Sequence, residues 1–116
     1  MTSNAPLFLI VTPSYNSARF IDETVMGIVS QAGAFRIRYH VQDGGSTDGT
    51  LARLERWAQI LSSGSFPVLC LGVEFSFLGE KDGGMYDAIN RGFDRLNPGG
   101  DEYMTYHSCP KQALAV

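Results

Sequence analysis

Cysteine is scarce in this 116-residue sequence: Cys70 sits in an apolar run, Cys109 lies near the end, and the two show no paired spacing. That excludes a disulfide framework or a cysteine-based zinc site and fits a reducing, cytoplasmic compartment. Basic residues are few and scattered, nine Lys and Arg against twelve Asp and Glu, for a net charge of −3. No basic stripe marks a nucleic-acid surface, so nucleic acid is not an expected partner. No apolar run approaches membrane-spanning length, and the amino terminus lacks the basic-then-apolar pattern of a secretion signal. Repeats and low-complexity stretches are absent too. What remains is a chain of one domain, 44% hydrophobic and long enough to bury a core.

The richest segment is Val41-Gln42-Asp43-Gly44-Gly45-Ser46-Thr47-Asp48-Gly49-Thr50. A β-prone run, Arg38-Tyr39-His40-Val41, delivers Asp43 to the carboxyl edge of a parallel sheet, where open α/β folds place their ligands. An ionised carboxylate only accepts hydrogen bonds, so it suits a base imino N–H or ribose hydroxyls and repels a bare phosphate. Gly44 and Gly45 allow positive φ and leave room for a ligand against the backbone. Ser46, Thr47 or Asp48 can cap the following helix. Turn chemistry alone explains much of this segment.

A second cluster, Glu80-Lys81-Asp82-Gly83-Gly84-Met85-Tyr86-Asp87-Ala88-Ile89-Asn90-Arg91-Gly92, opens another helix. Met85, Ile89, Phe93 and Leu96 recur at helical spacing as its core stripe, and Asp87 and Asn90 share a different face, toward the cleft with Tyr86 or Asp82. Asp82 precedes the helix, where the macrodipole favours an acid even without a function. Leu7 to Val11 reads as a strand buried on both faces. It leads into Thr12-Pro13-Ser14-Tyr15-Asn16, where Tyr15 offers either a stacking surface or core packing and Asn16 or Ser17 can cap a helix.

Taken in chain order, Val11 to Asn16, then Phe20-Ile21-Asp22-Glu23-Thr24 with Ser30-Gln31, then Gln42 to Thr50, then Glu80 to Gly92 strongly resemble the amino-terminal half of family 2 glycosyltransferases over about residues 7 to 105. The resemblance implies a GT-A fold, an α/β three-layer αβα arrangement with a mostly parallel sheet. It implies transfer of a hexosyl group from a nucleotide-diphosphate sugar, expected to be a UDP-sugar, to an acceptor hydroxyl with inversion. Carried over by position, Thr12, Pro13 and Tyr15 flank the base, and Asp43 contacts uracil or its equivalent beside Gly44. Asp82 lies against the nucleoside, and Asp87, Asn90 and Arg91 lie near the ribose, diphosphate or sugar.

The sequence also departs from the family. Members follow the fourth strand with an Asp pair that holds a divalent cation, Mn or Mg, on the diphosphate, and later supply a carboxylate base. Here Glu102-Tyr103-Met104-Thr105-Tyr106-His107-Ser108-Cys109-Pro110 stands instead, and Asp101 and Glu102 precede the strand. The metal ligands are therefore expected to be missing, no catalytic residue is assigned, and a leaving diphosphate loses that neutralising charge. His107 has no partner ligands at metal-site spacing. Residues 107–116 read as an atypical tail, which suggests a truncated or frame-altered product whose incomplete sheet would self-associate into a homo-oligomer.

Alternating elements are predicted: strands over 7–13 and 38–43, helices over 18–31, 48–62 and 84–96, and a last strand over 103–106. The second helix carries Leu51, Leu54, Ala58 and Leu61 on one stripe with Trp57 beside it. Residues 67–78 read as one bent strand or two short ones interrupted at Gly72. Besides the transferase, two alternatives compete. One is a catalytically inactive nucleotide-binding or self-associating remnant; the other is a receiver-like signalling domain with Asp43 as phosphoacceptor, which leaves the second cluster unexplained.

Overall fold

A computed structural model describes residues 5–100 and 102–107. Alternation in the sequence becomes alternation in space: β1 (Leu7–Ser14), α1 (Ile21–Val29), β2 (Arg36–Asp43), α2 (Thr50–Ser63), β3 (Gly72–Gly79), α3 (Met85–Leu96) and β4 (Tyr103–Tyr106). The strands form one parallel sheet in the order β3-β2-β1-β4. The expected α/β, three-layer arrangement is present. Chain progression reverses at β1, and the loops leaving the carboxyl ends of β1, β2 and β3 gather at one edge, the side on which such sheets bind ligands.

Each sheet face has its own core. Ile10, Ile37, Tyr39 and Val41 pack with Ile21, Val25, Ile28 and Val29 of α1 and Leu54 and Trp57 of α2. Leu9 and Val11, one residue out of phase, pack with Leu96 and Phe93 of α3. β1 is therefore apolar on both faces, as its unbroken apolar run predicts. The period of two also sends Arg38, His40 and Gln42 of β2 to the α3 face.

Several boundaries differ from expectation for local reasons. α1 begins at Ile21 rather than 18, because the Ser17 carbonyl accepts the N–H groups of Phe20 and Ile21 and turns the chain first. Neither Asn16 nor Ser17 caps α1 through its side chain. α2 starts after Gly49, and the Asp48 Oδ1 accepts the Thr50 N–H at 3.1 Å. Trp57 is a core residue rather than a flanking one, and its Nε1–H donates to Asp22 at 3.0 Å, joining α2 to α1. β3 starts at Gly72; Leu69 and Leu71 before it are exposed, so the expected bend or double strand over 67–78 is not formed.

The buried stripe of α3 is Ala88, Ile89, Gly92 and Leu96, whereas Met85 is 42% exposed. Gly92 sets the approach of α3 to the sheet: a Cβ there would stand 2.5 Å from Val11 Cγ1 and 3.0 Å from its Cγ2. Val11 is short, β-branched and fully buried, so it has little freedom to yield. Gly92→Ala is expected to destabilise by about 1–2 kcal/mol despite better helix propensity. Gly27→Ala in α1, where nothing lies within 4 Å, is expected to stabilise by about 0.5–1 kcal/mol. Urea denaturation of the two variants beside the parent checks both signs.

Candidate functional site

The loops after β1 and β2 are laced together by side chains. Asp43 ends β2 with none of its surface exposed. Its Oδ1 accepts from the hydroxyls of Ser14 at 2.7 Å and Ser46 at 2.6 Å, and its Oδ2 from the N–H groups of Gly45 at 3.0 Å and Ser46 at 2.7 Å. These four donors fill most of the capacity of one carboxylate. The Ser46 hydroxyl accepts the Asn16 N–H at 2.7 Å, and Asn16 Oδ1 accepts the Thr47 N–H at 2.8 Å. Gly45, at φ 92, makes the turn that such bonding requires.

In this geometry the Asp43 carboxylate is engaged within its own loop. A buried, four-fold hydrogen-bonded carboxylate holds the loop and presents no oxygen to a base, nor to a phosphoryl donor as a receiver domain would need. Thr12 and Pro13 are interior as well. The Thr12 hydroxyl donates to the His107 carbonyl at 2.6 Å, so the Tyr39 hydroxyl 2.7 Å away must be the donor in their bond. Both positions are buried at the sheet edge.

The open group is Asp82. A Cβ on Gly44 would stand 3.2 and 3.3 Å from the two Asp82 carboxylate oxygens and 3.4 Å from the Tyr15 ring. Gly44 has no positive φ, so its value here is space, not conformation. Tyr15 is 61% exposed and Asp82 half-buried, with Asp82 Oδ1 accepting the Gly84 N–H at 2.9 Å. An aromatic face, a bare backbone and a carboxylate thus meet at one point on the sheet's carboxyl edge.

Beside them lies a clamp on Arg91. Its Nε–H donates to Asp87 Oδ2 at 3.0 Å, and its Nη1 pairs with Glu80 Oε2 at 3.1 Å. The same Asp87 oxygen accepts the Gly83 N–H at 2.7 Å. That backbone bond, with the Arg91 charge behind it, holds the Asp87 carboxyl below its ordinary range. The Glu80 bond, then the Asp87 charge, hold the Arg91 proton more firmly still. Asn90 is exposed at the neighbouring position of α3. Glu80, His40 and Gln42 carried no assigned role in the sequence reading. Their signal was the alternation of β2, which puts His40 and Gln42 on the face opposite Tyr39 and Val41.

His40 is 2% exposed. Burial pushes its imidazole below the usual range, the Gln42 bond opposes this, Arg95 adds to it and Glu80 opposes it. At β4, the His107 N–H donates to the Val11 carbonyl at 2.9 Å, continuing the strand pairing. Glu102 accepts the N–H groups of Gly99 and Gly100 at the entry to β4, the end away from the site. Asp101 and the tail over 108–116 lie outside the described residues. Among the described residues no three of His, Cys, Asp or Glu gather as metal ligands. Glu80 and Asp87 are both tied to Arg91, so the described residues do not fit a metal centre.

A family model for "Glycosyl transferase family 2" matches residues 9–98. Two curated relatives from Mycobacterium tuberculosis, strains CDC 1551 / Oshkosh and ATCC 25618 / H37Rv, are each named as an uncharacterized glycosyltransferase. Each is 34% identical to this chain over 111 residues, 96% of this chain and 36% of the relative. The chain thus spans about a third of the length of these relatives. The crystal structure of S. aureus TarS superimposes with a TM-score of 0.61 at 22% identity, covering 87% of this chain and 16% of that one. That likeness is one of fold.

Two outcomes follow from the buried groups. Asp43→Asn puts an N–H₂ against donors and is expected to cost about 2–3 kcal/mol of stability, read from the urea midpoint. Because the His40 pKa is lowered from 6.5, unfolding takes up a proton between the folded value and 6.5. Stability should therefore fall as pH drops through that window and level off below it. In His40→Gln that part of the pH slope, followed by thermal melting, is expected to vanish.

Proposed function

This chain belongs to glycosyl transferase family 2, and from that membership we propose that its described residues form the donor-nucleotide half of a glycosyltransferase site. The ligand is a nucleotide-diphosphate sugar, with UDP-sugar the first candidate. In the reaction the bond from the anomeric carbon to the diphosphate breaks, an acceptor hydroxyl bonds to that carbon, and the hydroxyl proton leaves to a base. The observation that carries this reading is the meeting of Tyr15, Gly44 and Asp82. The tyrosine face suits a base, the glycine lets the nucleoside lie against backbone, and Asp82 accepts from an imino N–H or ribose hydroxyls.

Toward the diphosphate, Arg91 is the candidate cation, with N–H donors beyond those taken by Glu80 and Asp87. Two carboxylates around one guanidinium leave this group with a net negative charge, so a leaving diphosphate calls for more positive charge than Arg91 supplies. The family generally uses a divalent cation. Its ligands are not formed among the described residues, so no step is derived through it and no catalytic base is assigned.

A second reading, association rather than catalysis, is favoured by β4. Tyr103 is 62%, Met104 56% and Tyr106 47% exposed on a strand whose pairing among the described residues is with β1 alone. A second copy pairing along this edge would cover both the backbone and these side chains.

Calorimetric titration with UDP is expected to show binding that falls about tenfold or more in Tyr15→Ala and in Asp82→Asn. Full-strength binding in a folded Asp82→Asn would overturn the assignment. Light scattering reads the second proposal: a concentration-dependent dimer reverting to monomer in Met104→Glu supports the β4 edge, and a monomer throughout rejects it.

A further inference from the structure

On the α3 face of the sheet, polar side chains of two strands and the loop after β3 join end to end. Ser76 Oγ is 2.7 Å from His40 Nδ1, His40 Nε2 is 2.8 Å from Gln42 Oε1, and Gln42 Nε2 is 2.8 Å from Glu80 Oε2. That last oxygen is the one paired with Arg91. The chain has a fixed polarity. A carboxylate only accepts, so Gln42 must turn its N–H₂ to Glu80 and its carbonyl to His40. His40 must then carry its proton on Nε2, and the Ser76 hydroxyl donates to the bare Nδ1. Each of the three contacts along the path pairs one donor with one acceptor in this one arrangement. His40 and Gln42 are buried at 2% and 0% exposure, so an unsatisfied member would be costly and alternatives are suppressed.

We infer that His40 and Gln42 are positioning residues for the candidate donor site. Ser76, His40, Gln42 and Glu80 form a one-directional relay that fixes the Glu80 carboxylate and, through it, the Arg91 guanidinium at the diphosphate end. This rests on the reading of the site given above. Asp87 holds Arg91 from within α3, and Glu80 holds it from the loop after β3, so the guanidinium is located from two parts of the chain rather than one. The relay begins at Ser76, which lines a cavity of about 310 Å³ with Arg38, Glu74, Phe75, Arg95 and Leu96. Its side-chain hydrogen bonds and ion pair run to Arg91 and not to Tyr15, Gly44 or Asp82, so its loss should be felt at the phosphates and not at the nucleoside.

The test compares UDP with uridine by calorimetry in the parent chain, Gln42→Leu, Arg91→Leu and the double variant. The expected result is that Gln42→Leu loses about tenfold in UDP affinity and little in uridine affinity, with no added loss once Arg91 is gone. Equal losses for both ligands, or additive losses in the double variant, would overturn the relay and indicate a merely structural role. A parent chain that binds neither ligand would overturn the donor-site reading itself, and the relay would then be judged on the imidazole ¹⁵N shifts of His40 at alkaline pH. The Nε2–H tautomer in the parent, giving way to Nδ1–H in Glu80→Lys where the partner can only donate, supports it. The same tautomer in both proteins overturns it.

Discussion

One buried carboxylate organises the carboxyl edge of the sheet. Asp43 gathers the Ser14 hydroxyl from β1, the Ser46 hydroxyl and two backbone N–H groups onto its two oxygens. Desolvating an ion is costly, and it is tolerated here because charge-assisted bonds replace its water. The consequence is geometric. Ser46 is fixed over Asn16, the loops after β1 and β2 become one body, and Gly44 is held beside Tyr15 and Asp82. Without that clasp, the aromatic face of Tyr15 and the bare backbone of Gly44 would belong to separate loops.

The alternation of β2 sorts polar work onto two faces. Asp43 holds the loop edge, while His40 and Gln42, on the α3 face, connect through Glu80 to Arg91. α3 can reach this chain because Gly92 lets it settle against Val11. Packing and chemistry are therefore coupled: the small residue that seats the helix also brings Asp87 and Arg91 to the carboxyl ends of β2 and β3.

Much of the fold was legible. Unbroken apolar character marked β1 as an interior strand, the alternation of elements implied a parallel three-layer sheet, and the two Gly-rich clusters fell on the same edge. Exposure was harder to read. Asp43 ends a strand, Asp82 follows one and both precede glycines, and one-dimensional pattern does not say which carboxylate faces inward. The loop did carry a clue, since an acid two and three residues before Gly45 and Ser46 is placed for Asx-type bonds to its own backbone. The Thr12 hydroxyl donates to the His107 carbonyl, a contact 95 residues along the chain that no local pattern shows. The role of Glu80 needed the register of β2 against β3, which sequence spacing does not supply.

The central claim is that the nucleoside lies over Gly44 between Tyr15 and Asp82. Mapping backbone amide shifts by NMR as uridine is added tests it most directly. The account predicts perturbations concentrated at Tyr15, Gly44, Gly45 and Asp82 to Gly84, with the amides along α1 unmoved. Saturable shifts confined to another face, such as the cavity around Arg38 and Arg95, would contradict it.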